Sequence, residues 1–257
     1  MISTYNWPKA MELVLLSALR QSSPPDEILV ADDGSGPETK TLIENFQKTS
    51  NIQIRHFWQE DIGFRKAAIL NKAIAVAEGE YIIQIDGDCI LHRDFVKDHL
   101  ACQQKNTFLY GSRVNIQKGF LPKLINKKKI DFKFWDKGIK KRTRTLRIPI
   151  LAALYKANKG LSKKIRGCNI SYWRKDIIAV NGYNEAFVGW GREDSEIIVR
   201  MMNNGVLGKR LRYRGIVYHI WHQIKDKGNL KQNTHMEDIA KSTQTIWCKN
   251  GIDKYLF

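Results

Sequence analysis

The sequence contains few cysteines, and none of them are paired at the spacing of a metal-binding motif. The four cysteines in 257 residues are Cys89, Cys102, Cys168 and Cys248. Without a CxxC pattern, this spacing predicts neither a structural zinc site nor a disulfide framework. It favours reduced thiols, as in cytosolic proteins.

Long apolar runs are also missing. The stretches 13–19 and 81–85 are far shorter than the about 20 residues that a membrane-spanning helix needs. The chain starts with a strand-like segment rather than with a basic and then apolar signal region. The expected location is therefore cytoplasmic, with peripheral attachment to the inner face of a membrane kept as an option.

Acidic residues are too few to balance the basic ones. There are 26 Asp and Glu against 43 Lys and Arg, which gives a formal net charge of +17. Twelve of the basic residues lie between Lys118 and Arg147, where only Asp131 and Asp136 oppose them. This excess predicts an anionic partner, which can be a nucleic acid, an anionic membrane surface or a phosphorylated substrate.

The first hundred residues alternate between strand and helix patterns. Strands are predicted over residues 2–5, 27–31, 52–58 and 80–85, and helices over 9–20, 39–47 and 66–77. Further on, helices are predicted over 193–203 and 236–249, and a strand over 213–219. This order predicts an α/β fold, Rossmann-like, with a mostly parallel central sheet and flanking helices.

The expected organisation is one catalytic-type domain over residues 1–222 with a helical extension over 223–257. The domain divides into a nucleotide-binding half (1–105), a basic insertion or mobile flap (106–165) and an acceptor or catalytic half (166–222). No repeat or low-complexity linker argues for a second independent domain.

Three predicted strands end in polar or acidic residues, and ligands of open α/β sheets lie beyond such strand ends. These ends are TYN (4–6), DDGS (32–35) and DGD (86–88), and we expect them to meet in one crevice. The DGD turn presents two carboxylates, Asp86 and Asp88, which suit Mg²⁺ or Mn²⁺ bridging a diphosphate. A solvated acidic turn is the commoner reading of DxD alone, but its position after a buried strand favours a site.

Two further groups fit the same crevice. In DDGS, one aspartate can cap the next helix while the other accepts a hydrogen bond from a uracil imide or a ribose hydroxyl. Arg65 and Lys66 start a helix, where ordinary surface cations are disfavoured, and they can approach a diphosphate leaving group.

The run GWGRED (189–194) is the most informative motif. Two glycines bracket Trp190 and deliver Glu193 and Asp194 to the start of a helix, so that the indole can stack on a sugar while a carboxylate reaches its hydroxyl. A glycine-rich capping loop is the alternative. His219, at a predicted strand end, is the preferred nitrogen ligand for the metal, and His222 is the alternative.

Taken in order, the strand, DDGS, basic helix start, DGD, GWGRED and histidine resemble family 2 glycosyltransferases of the A-type nucleotide-diphospho-sugar fold. The resemblance covers residues 1–105 and 166–222. The C-terminal half looks like the catalytic domain shared by β-1,4-galactosyltransferases, polypeptide N-acetylgalactosaminyltransferases and bacterial chondroitin polymerases. Two departures are Arg192, where a second glycine is usual, and the segment 118–166, which has no counterpart.

The resemblance implies a role for each matching residue. The uridine and nucleotide would contact Thr4, Tyr5, Asp33, Arg65 and Asp86. The metal, Mn²⁺ or Mg²⁺, would be bound by Asp88 and His219, with Asp86 touching the ribose or the metal. Asp194 would be the general base, Glu193 would bind a sugar, and the acceptor side would be formed by Trp190, Gly191 and Arg192.

The implied reaction is the inverting transfer of a hexose or N-acetylhexosamine from a UDP-sugar to a glycan or lipid-linked glycan, in cell-surface polysaccharide or lipopolysaccharide synthesis. The basic segment, with Phe120, Phe132, Phe134 and Trp135, is expected to meet an anionic acceptor or membrane surface.

Two other functions are weighed against this one. A nucleotidyltransferase or retaining transferase would leave GWGRED without a role. A basic nucleic-acid- or membrane-binding module without transferase activity would account for the charge. Because acidic strand ends would repel phosphate, no nucleic-acid partner is expected.

Overall fold

A computed structural model describes residues 1–223 and 227–256 of the chain. The strands are β1 (Ile2–Thr4), β2 (Glu27–Asp32), β3 (Gln53–Trp58), β4 (Tyr81–Asp86), β5 (Cys89–Leu91), β6 (Thr107–Gly111), β7 (Arg113–Ile116), β8 (Ile139–Lys140), β9 (Ile170–Trp173), β10 (Leu207–Leu211) and β11 (Val217–His219). The helices are α1 (Pro8–Leu19), α2 (Pro37–Thr49), α3 (Lys66–Ala75), α4 (Phe95–Cys102), α5 (Leu121–Asn126), α6 (Pro149–Ala152), α7 (Arg174–Ile178), α8 (Glu193–Asn203) and α9 (Leu230–Ser242).

Local sequence explains where the main helices begin. Pro8 and Pro37 occupy the first helical positions of α1 and α2, where a missing backbone N–H costs nothing. Helix α8 starts with Glu193 and Asp194, whose negative charge suits the positive end of a helix. The helix that contains the Glu-Asp pair is therefore favoured to begin at that pair.

The central sheet has seven strands in the order β10-β6-β9-β4-β1-β2-β3. Strands β3, β2, β1 and β4 run parallel, β9 is antiparallel to both β4 and β6, and β10 is parallel to β6. Helices cover the sheet, so residues 28–32 of β2 are all buried. The prediction of an α/β fold with a mostly parallel sheet is confirmed.

A second sheet, in the order β5-β11-β7-β8, brings the C-terminal half against the DGD turn. Strand β5 follows that turn directly and pairs antiparallel with β11, so that His219 lies opposite Cys89. The backbone N–H of Ile220 also donates a hydrogen bond to the Asp88 carbonyl at 2.8 Å. This small sheet therefore places the end of β11 beside Asp88.

The region assigned to a basic insertion is only partly an insertion. Residues 107–111 form β6 inside the main sheet, and 113–116 form β7 of the second sheet, because their apolar side chains are buried. Phe132 is 8% exposed and stacks on Tyr218, with ring centroids 4.5 Å apart. Phe132 thus faces the core, against our expectation of a membrane contact, whereas Trp135 is 72% exposed.

Most bounds agree with the predictions within about two residues, and two elements differ by more. The C-terminal helix spans Leu230–Ser242 rather than 236–249, because Gln244 adopts a left-handed φ of 50° and Cys248 is buried beyond it. The strand predicted over 213–219 is limited to Val217–His219, since Tyr213 and Gly215 have positive φ angles. No described helix is both long enough and apolar enough to cross a bilayer.

One buried ion pair holds α8 against the loop after α7. Arg200 is fully buried and donates to both carboxylate oxygens of Glu196, at 2.7 and 2.9 Å. Its guanidinium also donates to the carbonyl oxygens of Val180 and Gly182. These contacts take the place of water around the buried guanidinium. Removing either Arg200 or Glu196 would therefore leave an unpaired charge in the core.

Arg200→Met is expected to lower the free energy of unfolding by about 3–5 kcal/mol, because Glu196 and two carbonyls lose their partner. Urea unfolding at pH 7 measures this change. The matched variant Arg200→Met/Glu196→Met removes both charges and should recover much of the loss. A single variant as stable as the wild type would contradict the assigned role.

Candidate active site

A cleft of about 1200 Å³ opens where β1, β2 and β4 end. Its walls include most of the residues predicted from the motifs, which are Thr4, Tyr5, Asp33, Asp86, Asp88, Trp190, Gly191, Arg192, Glu193, Asp194 and His219. Residues from both predicted halves, 1–105 and 166–222, therefore meet at one edge of the sheet. Lys66 and His222 also line the cleft.

At one end of the cleft, the backbone of the basic helix start fixes Asp33. The Asp33 carboxylate accepts hydrogen bonds from the backbone N–H of Arg65 at 2.8 Å and from the Gln59 amide at 2.6 Å. The Arg65 guanidinium donates to the Glu60 carbonyl at 2.9 Å. The hydroxyl of Tyr5 donates to Asp61 at 2.8 Å. Arg65 therefore contributes to this end through its backbone, by orienting Asp33.

Lys66 is the cation that connects the acidic motifs. Its Nζ lies 2.9 Å from Asp86 Oδ1 and 3.5 Å from Asp194 Oδ2, and its side chain is only 10% exposed. Burial opposes the charged form, but the carboxylates of Asp194, Asp86 and Glu193 raise the pKa of Lys66 well above its ordinary value. The ammonium is thus charged at neutral pH and links β4 to α8.

The same contact affects Asp86 in the opposite direction. Burial would raise the pKa of Asp86, but the Lys66 ammonium and hydrogen bonds from Lys66 and Ser3 outweigh burial and lower it. The Ser3 hydroxyl donates to Asp86 Oδ1 at 2.9 Å. Asp86 is therefore an ionised carboxylate with one oxygen already occupied.

Asp194 keeps one carboxylate oxygen free. Its Oδ2 accepts a hydrogen bond from the backbone N–H of Gly167 at 3.0 Å, and a side chain on residue 167 would overlap this carboxylate. Its buried Oδ1 has no hydrogen-bond partner within residues 1–223 and 227–256. Burial raises the pKa of Asp194, and Lys66 offsets part of this rise. A free oxygen on a buried carboxylate suits a general base.

Glu193 is the second acid of the pair and is more strongly perturbed. It is 5% exposed, and its Oε2 has no hydrogen-bond partner in the described part of the chain. Burial, together with the neighbouring charge of Asp194, raises the pKa of Glu193 to about 7. Glu193 is therefore partly protonated near neutral pH, and its protonated form can donate a hydrogen bond.

Three residues of the GWGRED loop, two of them adjacent, adopt left-handed backbone conformations. The φ angles are 77° at Gly189, 107° at Gly191 and 77° at Arg192. A left-handed residue other than glycine costs about 1–2 kcal/mol, which explains why glycine is usual at position 192. The loop places Trp190, 40% exposed, on the wall of the cleft.

Helix α9 compensates for the arginine at this position. Arg192 Nε donates to Thr234 Oγ1 at 3.1 Å and lies 3.3 Å from Glu237 Oε2. The buried Asn233 amide donates to the Gly191 carbonyl at 2.9 Å. Helix α9 thus holds the loop in place, and no motif in the sequence predicts this contact.

A metal-ligand cluster lies on the other side of the DGD turn. Ligand atoms of Asp88, His219 and His222 all lie within 4.8 Å of one another. The Nε2 atoms of His219 and His222 lie 3.4 and 3.3 Å from Asp88 Oδ2. Both histidines therefore join Asp88, whereas the sequence suggested one or the other, and Asp86 is engaged with Lys66 instead.

The chemistry of these three groups fits a divalent transition metal. Burial lowers the pKa of His219 despite the nearby Asp88, so its imidazole is neutral at pH 7, as a ligand must be. Two imidazoles with one carboxylate favour Mn²⁺ over Mg²⁺, because Mg²⁺ prefers oxygen ligands.

The fold and the cleft together define a glycosyltransferase of the A-type nucleotide-diphospho-sugar fold. Residues 1–167 match the family model described as Glycosyl transferase family 2, and residues 150–223 match the model described as N-terminal domain of galactosyltransferase. The chain belongs to glycosyl transferase family 2. The resemblance inferred from the motifs is confirmed for both halves.

Curated relatives are similar over most of this chain. It is 24% identical over 220 residues to validoxylamine A glucosyltransferase of Streptomyces hygroscopicus subsp. limoneus, covering 80% of this chain and 48% of that protein. It is 24% identical over 229 residues to chondroitin synthase of Escherichia coli, covering 79% of this chain and 32% of that protein. The chain thus spans about half or less of the length of these relatives.

Solved structures share the fold. S. aureus TarS 1–349 in complex with UDP gives a TM-score of 0.63 at 15% identity, covering 95% of this chain and 67% of that chain. The mannosyltransferase PcManGT from Pyrobaculum calidifontis, in complex with GDP-Man and Mn²⁺, gives 0.61 at 16% identity, covering 99% and 66%. The mixed α/β architecture is that of these transferases.

Glu193→Gln is expected to stabilise the protein at high pH and not at low pH. The pKa of Glu193 rises from 4.5 to about 7 on folding, so the folded state retains a proton that the unfolded chain loses between these values. The free energy of unfolding therefore falls as pH rises from 4.5 to about 7. At pH 8, the variant should gain on the order of 2 kcal/mol.

Urea unfolding of metal-free protein at pH 4 and pH 8 measures this difference. Glu60→Gln, at an exposed position, is the control and should show no such pH dependence. Equal stability of wild type and Glu193→Gln at both pH values would contradict the perturbed state of Glu193.

Proposed function

We propose that this protein is a metal-dependent inverting glycosyltransferase that moves a hexose or N-acetylhexosamine from a UDP-sugar to a glycan or lipid-linked glycan, in cell-surface polysaccharide or lipopolysaccharide synthesis. The observation that carries this proposal is the Lys66 ammonium shared between Asp86 and Asp194. This contact holds a nucleotide-side aspartate and a base candidate in the same cleft, beside a metal-ligand cluster.

The nucleoside would occupy the end of the cleft formed by Thr4, Tyr5 and Asp33. The Asp33 carboxylate is oriented by Arg65 and Gln59, and a carboxylate can accept a hydrogen bond from a uracil imide. A structural neighbour, S. aureus TarS, was solved with UDP, which supports this nucleotide. Asp86 would meet the ribose, since its carboxylate lies at the adjacent strand end.

Asp88, His219 and His222 would hold a Mn²⁺ ion, with Mg²⁺ as the less suited alternative. The neighbour PcManGT was solved with Mn²⁺, which supports a divalent metal in this fold. When bound, such an ion neutralises the charge that develops on a departing diphosphate. Lys66 lies on the opposite side of the DGD turn and adds a second positive charge to this region.

Asp194 would act as the general base. Its carboxylate, whose side chain is 22% exposed and lines the cleft, would take the proton of an acceptor hydroxyl while that oxygen attacks C1 of the donor sugar from the face opposite the diphosphate. A single displacement inverts the anomeric carbon. Burial raises the pKa of Asp194, and the Lys66 ammonium offsets part of that rise, which favours the ionised form that a base needs. Glu193, with a pKa of about 7, would hold a sugar hydroxyl, and Trp190 would stack on a sugar face.

Asp194→Asn is expected to lower kcat by about 10²–10⁴-fold with a UDP-sugar and Mn²⁺ while UDP still binds, because the variant loses the base and keeps the shape. Asp88→Ala should lose the metal-dependent turnover. Release of UDP from a panel of UDP-sugars measures both effects and identifies the sugar. Asp238→Asn, on the exposed face of α9, is the control and should match the wild type. Unchanged turnover in Asp194→Asn would refute the assigned base.

His222→Ala is expected to weaken Mn²⁺ binding by at least about tenfold, because the ligand cluster loses one of its imidazoles. Isothermal titration with Mn²⁺ in the presence of UDP measures the affinity. His235→Ala removes an exposed histidine from α9 and should bind Mn²⁺ like the wild type. If both variants bind Mn²⁺ equally well, His222 is not a ligand.

A further inference from the structure

Six basic side chains gather at the edge of the cleft that lies away from the nucleoside end. This cationic cluster consists of Arg113, Lys141, Arg144, Arg166, Arg210 and Arg212. It comes from β7, from the segment around residues 141–144, from the residue before Gly167, and from the end of β10. Arg113 and Arg166 also line the cleft itself.

Hydrogen bonds fix the cluster in place. Arg144 Nη1 donates to the Arg113 carbonyl at 2.8 Å, and Arg212 Nη1 donates to the Thr143 carbonyl at 3.2 Å. The Arg210 guanidinium lies over the ring of Tyr155, 5.6 Å from its centroid. These partners are neutral, so they orient the cations without balancing their charge.

Two other arginines in the same region do form ion pairs with a carboxylate. Arg147 lies 2.8 Å and Arg214 3.8 Å from the buried carboxylate of Asp98. By contrast, none of the six cations forms an ion pair with a carboxylate among residues 1–223 and 227–256. The pKa of Arg144 is lowered by burial and by repulsion from Arg210, Arg212 and Arg113. The pKa of Lys141 is lowered in the same way, by burial and by repulsion from Arg144, Arg113 and Arg166. Repulsion from the other cations therefore disfavours the charged forms of Arg144 and Lys141.

The position of the cluster separates it from the nucleoside end. In the main sheet, β10 is four strands away from β1, which is about 19 Å at the usual spacing of about 4.8 Å. Thr4 and Asp33 lie at the ends of β1 and β2, whereas Arg210 lies on β10. A ligand group that meets the cluster is thus displaced from the nucleoside end, and Arg113 and Arg166 continue the cluster into the cleft.

The composition of the cluster indicates the kind of anion. Five of the six cations are arginines, whose planar forks form paired hydrogen bonds with phosphate oxygens. A phosphate group also carries close to two negative charges, which suits several cations better than a single carboxylate does. We propose that the cationic cluster is an acceptor subsite that binds a phosphate group carried by the acceptor glycan, and this inference rests on the proposed transferase function.

The test uses the whole protein with UDP and Mn²⁺ at saturating concentration, so that the nucleotide end is filled. Glucose 6-phosphate is the probe, and glucose is its uncharged match. Isothermal titration should show binding of glucose 6-phosphate to the wild type, and none of glucose. Lys141→Gln/Arg144→Gln/Arg210→Gln should weaken that binding by at least about tenfold, because charged hydrogen bonds are lost, while the affinity for UDP is unchanged.

A matched variant controls for the loss of net charge. Lys48→Gln/Lys105→Gln/Lys175→Gln removes three exposed positive charges elsewhere and should bind glucose 6-phosphate like the wild type. Equal affinity of the cluster variant and the wild type would overturn the subsite. A loss of UDP affinity in the cluster variant would also overturn it, because the cations would then serve the donor.

Binding to lipid vesicles distinguishes a phosphate on the acceptor glycan from the phosphate of a lipid headgroup. If the cluster variant loses binding to phosphatidylglycerol vesicles but binds glucose 6-phosphate like the wild type, the cations serve a membrane surface and the acceptor subsite is overturned. Failure of the proposed transferase function has a different signature, since UDP would then fail to bind to every protein, including the wild type. The comparison of glucose 6-phosphate affinities would still stand.

Discussion

The buried ammonium of Lys66 is the interaction on which the arrangement of the cleft depends. It begins α3, at the helix end where a positive charge is least favoured, and it is nearly inaccessible to water. Such a charge is stable only beside carboxylates, and Asp86 from β4 and Asp194 from α8 supply them. The two acids would in turn repel each other without it. One charge therefore sets the positions of three elements, two of which come from opposite halves of the sequence.

The remaining geometry is held by packing outside the motifs. The loop before α8 contains a left-handed arginine, and that strain persists because α9 pairs Arg192 with Glu237 and holds Gly191 through Asn233. Gly167, at the boundary of the basic segment, leaves just enough room for the Asp194 carboxylate. The candidate base is thus positioned by a cation, a backbone N–H and a clamped loop, so its orientation depends on residues without catalytic chemistry of their own.

The sequence predicted the strand ends and the acidic motifs well, because both follow from local patterns. Asp33, Asp88 and Asp194 lie in one cleft as expected. The predictions were incomplete or wrong for residues whose position depends on contacts between segments that are distant in sequence. Arg65 and Lys66 are adjacent in sequence, and only the packing of α3 shows that Lys66 reaches the carboxylates. His219 and His222 looked like alternatives, since their convergence on Asp88 requires the pairing of β11 with β5. Phe132 looked exposed among lysines, yet its partner Tyr218 is 86 residues away.

Negative and positive side chains occupy different parts of the cleft. The carboxylates of Asp86, Glu193 and Asp194 surround the Lys66 ammonium, and Asp88 adds a further negative charge to the cleft, so the proposed donor side would repel a diphosphate until positive charge is added beside Asp88. The raised pKa of Glu193 eases that repulsion, because a protonated glutamate carries no negative charge. Among residues 1–223 and 227–256, the cationic cluster lacks the carboxylate partner that Asp98 gives to Arg147 and Arg214. A net charge of +17 therefore coexists with an acidic candidate site, and the proposed acceptor subsite would use part of that excess to bind an anion.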